Sequence, residues 1–167
     1  MLRFRPYKPC DAKTIVSWIR NEYAFRQWCA DRFDHYPLTA DELNQHYEAQ
    51  CMNDAFYPMC AYDDEGVQGH MILRFTDSEK KHLRFGFVIV NDQKRGMGLG
   101  KEMLNLAIRF GQDLLKAQTI SLGVFENNPA AYHCYFSVGF RATELPEKEV
   151  YPVLGEIWPC IEMILNR

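Results

Sequence analysis

Nothing in this 167-residue chain reaches the roughly 20 consecutive apolar residues that a membrane-spanning helix requires; the longest strongly apolar stretch is Phe85 to Val90. The opening, MLRFRPYKPCD, lacks the apolar region of a secretion signal, so a soluble cytoplasmic protein with no membrane partner is expected. A dominant charge is missing too. With 19 basic and 22 acidic side chains, a net charge of −3 and a pI near 5.9, the chain lacks the electrostatic footprint of a nucleic-acid binder. Cys10, Cys29, Cys51, Cys60, Cys134 and Cys160 form no C-x-x-C pair and have no histidine at zinc-finger spacing. No metal is expected, and the thiols read as small buried hydrophobes, because a domain of this length holds its core without disulfides. No repeat, linker or low-complexity tract breaks the chain, so 1–167 reads as one domain.

What is present is a sequence of short periodic segments. Leu2 to Pro6 alternates as a half-exposed strand does, and Pro9-Cys10-Asp11 leads into a helix with Asp11 as its N-cap and Ile15, Trp18 and Ile19 at helical spacing. Thr39 and Glu42 form a capping box for a second helix running toward Cys51. Three apolar runs follow, Phe56 to Tyr62, Val67 to Phe75 and His82 to Val90, whose short polar connections permit an antiparallel meander and forbid parallel crossovers. Leu99, Met103, Leu106, Phe110 and Leu114 mark an amphipathic helix, and Ile120, Leu122 and Val124 a strand. Asn128-Pro129 opens a helix to about Val138 that Gly139 ends, and Val150 to Leu154 and Ile157 to Leu165 close the chain as strands. The order βααβββαβαββ is that of a mixed α+β domain.

Between the strand ending at Val90 and the helix of Met103 lies QKRGMGLGK, residues 93–101. Its three alternate glycines let the backbone approach a ligand, the following helix presents unpaired N–H groups, and Arg95 and Lys101 add positive charge. A phosphate or pyrophosphate is the natural guest, and a plain strand-to-helix turn is the alternative. A Walker loop is excluded because Lys101 is followed by Glu102 and Arg95 stands where a glycine is required. The spacing G-x-G-x-G, after several antiparallel strands, also fits a dinucleotide fingerprint poorly.

The loop is similar to the acyl-coenzyme A loop of the GNAT superfamily of N-acetyltransferases, whose pattern Q/R-x-x-G-x-G/A is met by Arg95, Gly98 and Gly100. The preceding VIVND, residues 88–92, resembles the superfamily's strand before that loop. Downstream, VFENNPAAYHCYFSVGF at 124–140 resembles V-x-x-N-N-x-x-A-x-x-x-Y-x-x-x-G-F, with Asn128, Ala131, Tyr135, Gly139 and Phe140 on the marked positions. The opening, LRFRPYKPCDAKTIVSWIRN, resembles the first strand and helix of the branch that includes ribosomal-protein N-terminal and aminoglycoside acetyltransferases.

The resemblance implies a mixed sheet of six to seven strands with helices on both faces, and acetyl-coenzyme A as cosubstrate in a splay between the fourth and fifth strands. It implies that backbone groups of Val88 and Val90 pair with the pantetheine amides, and that Arg95, Gly96, Met97, Gly98, Leu99, Gly100 and Lys101 cradle the pyrophosphate. Asn128, Ala131 and Tyr135 complete the coenzyme site, with Tyr135 as acid for the departing thiolate. Many relatives carry a glutamate on the strand before the loop, but HLRFGFVIVN has no carboxylate. Glu126 is the substitute base, in competition with water-mediated deprotonation. The acceptor is a small-molecule amine or a protein N-terminus, received among the aromatic and acidic residues at 18–36, of which Trp28, Asp31 and Glu22 are the candidate contacts. A non-catalytic acyl-coenzyme A sensor is the alternative function, and a homodimer remains open.

Overall fold

Polar turns divide the chain into segments that a computed structural model, describing residues 1–144 and 148–165, folds around one twisted sheet. In chain order these are β1 (Arg3–Pro6), α1 (Ala12–Ser17), α2 (Glu22–Cys29), α3 (Ala40–Glu48), β2 (Phe56–Asp63), β3 (Gly66–Phe75), β4 (His82–Val90), α4 (Leu99–Arg109), β5 (Thr119–Phe125), α5 (Pro129–Ser137), β6 (Phe140–Ala142), β7 (Glu149–Val153) and β8 (Glu156–Leu165). The strand order is β1-β2-β3-β4-β5-β8-β6, and β7 pairs with β8 on the edge it shares with β6. Every pairing is antiparallel except β4 with β5.

The architecture is the expected α+β one with two additions. The sheet has eight strands where six to seven were expected, because Phe140–Ala142 pairs with the end of β8 instead of merely following the helix stop. A further helix, α2, occupies part of the aromatic region at 18–36, with the Asn21 side chain accepting the Ala24 N–H at 2.8 Å as its N-cap. Thr39 and Glu42 form the expected capping box, and α3 ends at Glu48, short of Cys51. Asp11 does not cap α1 through its side chain. Its buried carboxylate instead pairs with Arg5 at 2.7 and 2.9 Å and accepts the Lys8 N–H at 2.8 Å. Burial would raise the Asp11 carboxyl, but the Arg5 guanidinium and these N–H donors hold it below the usual carboxylate range.

Two apolar cores lie on opposite faces of the sheet. One holds Leu83, Phe85, Leu104, Ile108 and Tyr135 beneath α4 and α5; the other holds Ile15, Phe25, Leu43, Phe87 and Ile89 beneath α1, α2 and α3. The odd-numbered residues of β4 therefore change face between Phe85 and Phe87. Side chains of an unbroken strand alternate with period two, so the change requires a bulge. The register supplies it: His70 opposes Ile89 and Ile72 opposes Gly86, leaving one more residue on β4 than on β3. Phe87 takes φ +50°, a left-handed conformation of order 1 kcal/mol above the ordinary one.

Within the second core, His70 is fully enclosed between Tyr47, whose hydroxyl lies 2.6 Å from Nε2, and the Met59 carbonyl, 2.9 Å from Nδ1. Donation from Nδ1 to the carbonyl leaves Nε2 to accept from Tyr47, which is the neutral ring. Burial lowers its pKa from 6.5 to about 4, against a smaller opposing effect of the Met59 carbonyl. The folded pKa lies below the unfolded one, so the unfolded chain binds the extra proton and stability falls as pH drops from about 6.5 to about 4. The expected loss is about 3 kcal/mol. Urea midpoints measured across this range should slope steeply in the wild type and markedly less in His70→Gln; equal slopes would place the penalty on another group.

Candidate active site

Beyond Phe85 and Leu122, the last paired residues of their ladder, β4 and β5 diverge. The bulge at Phe87 turns β4 aside at this point, and Gly86 lets it lie against Ile72 of β3, where a methyl group would sit 3.2 Å from Cγ1. Past the bulge, Asn91 donates to the Gln68 carbonyl at 2.8 Å, so by alternation the backbone groups of Val88 and Val90 face away from β3, toward the gap. They form an unpaired strand edge able to hydrogen-bond an extended chain of amides.

A cavity of about 620 Å³ fills this gap. One end is the loop before α4, where Gly96 and Gly98 take φ +79° and +83° with open space around the position of a Cβ. Gly98 is the residue before α4 and provides no side-chain cap, so the first N–H groups of the helix remain available to an anion. Lys94 is engaged by Glu65 at 2.6 Å, while Arg95 and Lys101 contribute to the cavity wall. The opposite wall is α5, positioned by the Asn128 side chain accepting the Ala131 N–H at 3.2 Å and by Pro129 in the first turn. Gly100 brings α4 close to α5, since a methyl group there would meet Cys134 Sγ at 3.1 Å.

Of the candidate coenzyme residues, Val88, Val90, Arg95, Gly96, Gly98, Leu99, Gly100, Lys101, Asn128, Ala131 and Tyr135 all line this cavity; Met97, exposed at the loop tip, does not. Tyr135 is both wall and core, packed edge-on to Phe140, and burial holds its phenol well above the ordinary pKa, protonated at neutral pH. Glu126 is not part of this wall, and its carboxylate pairs with Lys148. Trp28 lies in the wall, with a buried indole N–H that has no acceptor among the described residues. Glu22 lies 3.9 Å from Arg26, and neither it nor the exposed Asp31 lines this cavity. The acidic rim expected around the aromatics is thus not gathered at the site.

The sequence reading missed a second cavity, of about 440 Å³, on the face beneath α2 and α3. It shares Gln27, Trp28, Phe85, Gly86, Phe87 and Gly123 with the first, so the two meet where β4 leaves β5. Gln27 fastens α2 over the opening by donating to the Asn127 carbonyl at 3.0 Å. His46 lines the second cavity, and burial and the nearby Arg32 lower its pKa, so the ring is neutral at pH 7 and able to accept a proton. Gly86 within an apolar strand was the available sign of the bulge, and Asn21 followed by Phe25 and Cys29 that of α2. Among the described residues, no group of three or more His, Cys, Asp or Glu side chains is placed to hold a metal, and no helix is long and apolar enough to cross a membrane.

The profile of the Acetyltransferase (GNAT) family matches residues 16–140. The chain is 29% identical over 107 residues to the SPbeta prophage-derived uncharacterized N-acetyltransferase YokL of Bacillus subtilis, covering 64% of this chain and 59% of the relative. It is 31% identical over 97 residues to the spermine/spermidine N(1)-acetyltransferase of the same species, covering 58% of this chain and 56% of that protein. The chain thus matches less than two thirds of the length of these curated relatives. The fold is similar to that of the spermidine N-acetyltransferase from Vibrio cholerae in complex with CoA and spermine, with a TM-score of 0.81 at 21% identity, over 98% of this chain and 94% of that one.

The floor common to both cavities depends on Gly123. A methyl group there would lie 2.9 Å from Arg84 Nη2 and 2.9 Å from Cys160 Sγ. Gly123→Ala should therefore destabilise the protein by about 1–3 kcal/mol, read from its urea midpoint. Wild-type stability would mean that the Arg84 guanidinium does not rest over β5.

Proposed function

Because the chain belongs to the GNAT family of acetyltransferases, we propose that it transfers an acetyl group from acetyl-coenzyme A to a primary amine of a small molecule. The observation that carries this reading is the gap between β4 and β5, open along the backbone of Val88 and Val90 and ending on the glycine loop and the N-terminus of α4. An extended arm with amides and a pyrophosphate at its end matches those two features in order. The activity for which the Bacillus subtilis relative is named, on spermine and spermidine, supports a small-molecule acceptor over a protein N-terminus.

In this reaction a neutral amine nitrogen forms a bond to the thioester carbonyl carbon, the carbon–sulfur bond breaks, the thiolate gains one proton and the amine loses one. Tyr135, protonated and in the cavity wall, supports the role of donor to the sulfur. Glu126, paired with Lys148 and lining neither cavity, lacks support as the base. His46 has more, since it lines the second cavity and is uncharged at pH 7; it takes the amine proton directly or through water.

Release of free thiol from acetyl-coenzyme A in the presence of an amine panel tests the reading; coenzyme binding without turnover on any amine would favour a sensor. Calorimetry on Gly98→Asp should show coenzyme affinity reduced at least about tenfold, with a smaller loss in Gly98→Asn, which tolerates the left-handed backbone without the charge. Equal affinity in Gly98→Asp and wild type would reject the loop as the pyrophosphate site. Tyr135→Phe should lower kcat by roughly 10²- to 10⁴-fold while coenzyme affinity changes little. Unchanged kcat, with the chemical step shown to limit turnover, would leave Tyr135 a packing residue.

A further inference from the structure

The second cavity is basic. Arg32, Arg74 and Arg84 line it, and no aspartate or glutamate of the described residues does. Arg74 of β3 and Arg84 of β4 are directly opposed in register, a placement of like charges that destabilises a sheet unless something compensates it. Arg84 is compensated from outside the cavity wall by Glu162 at 2.6 Å. Arg74 and Arg32 form no ion pair among the described residues. Burial and the neighbouring Arg84 and Arg32 lower the pKa of Arg74, with only the Tyr151 phenol acting the other way. A half-buried guanidinium held beside two others is a binding group short of its anion.

We propose that the acceptor amine carries an oxyanion group, a carboxylate or a phosphate, which Arg74 and Arg32 hold in the second cavity while the amine reaches the shared wall at Gly86 and Phe87. The proposal rests on the acetyl-transfer reading for the role of that wall. It separates this protein from relatives named for spermine and spermidine, whose substrates carry only positive charge. A polycation entering here would meet Arg32, Arg74 and Arg84, with Glu162 already committed to Arg84 and His46 uncharged. An amine that also bears an oxyanion meets bidentate donors at one end and the cavity junction at the other. The volume of about 440 Å³ suits a molecule of amino-acid or dipeptide size.

Calorimetry on the protein saturated with coenzyme A separates the possibilities with four probes: L-glutamate, its dimethyl ester, O-phosphoethanolamine and spermidine. At least one of L-glutamate and O-phosphoethanolamine should bind about tenfold or more tightly than spermidine, and which of the two does so identifies the oxyanion. If it is L-glutamate, the dimethyl ester should lose that advantage. Arg74→Gln and Arg32→Gln should each weaken the favoured anionic probe about fivefold or more, with coenzyme A affinity within about twofold of wild type as the control for folding. Arg32 is exposed, so its variant tests the site even if the β3 variant folds poorly. Spermidine binding as tightly as the anions, no binding by either anion, or anion affinity unchanged in both variants would overturn the proposal while coenzyme binding stands. Failure of the wild type to bind coenzyme A would instead overturn the acetyl-transfer reading beneath it.

Discussion

The site depends on a single extra residue in β4. Before the bulge the strand is an ordinary member of the sheet, with Leu83 and Phe85 in the core under α4 and paired in register with β5. After it, Phe87 and Ile89 face the opposite core, and β5 no longer pairs with β4. One local conformation, Phe87 at φ +50°, therefore accompanies the face change, the loss of pairing and the opening of the gap. Its strain of order 1 kcal/mol is small beside the burial of Phe87 and Ile89, each worth roughly 1.5–3 kcal/mol, so the core under α1, α2 and α3 stabilises the distortion that makes the cavity.

The same residue links the two cavities. Phe87 and its neighbour Gly86 are in the walls of both, and the aromatic rings of Trp28, Phe33 and His46 pack around Phe87 at centroid distances of 4.9, 5.9 and 5.9 Å. The aromatic residues that crowd 18–36 thus do more than fill a core: with α2 they form a hydrophobic collar at the junction, where exclusion of water strengthens every polar interaction. Among the described residues, the indole N–H of Trp28 is a fully buried polar atom of that collar without a hydrogen-bond partner.

Most of the framework was legible because it rests on periodicity and punctuation. The three strands from Phe56 to Val90, the helix begun at Leu99 and the Asn128-Pro129 start follow rules that act within a few residues. The wall of the first cavity was legible for the same reason, its residues lying in two contiguous motifs. The second cavity was not, because it is assembled across the sheet: Arg74 from β3, Arg84 from β4, Gly123 from β5, Arg32 and His46 from the helical layer. Sequence proximity pointed to Glu22 and Asp31, but helical geometry turns Glu22 toward Arg26 and leaves Asp31 exposed, while the arginines that do line the cavity are scattered over 53 positions. The expected count of six to seven strands fell short because the three-residue β6 carries no periodic signal of its own.

The opposed pair Arg74 and Arg84 clarifies how a sheet face comes to present an unpaired positive group. A fold selected for stability alone gains by placing an apolar or acidic residue opposite Arg84, as the flanking pair Leu73 and Phe85 does on the other face. Here Glu162 reaches from β8 to neutralise one arginine and rigidify it, with Ser121 accepting a further hydrogen bond from Arg84 at 3.3 Å. Gly123 is the position that makes room for this arrangement, because any side chain there would displace Arg84. Fixing Arg84 in turn holds Arg74 at a set distance from a like charge, so its guanidinium cannot be relieved by its strand neighbour. What remains is a positive group positioned by the sheet and open to the cavity, adjacent to the junction where β4 and β5 part.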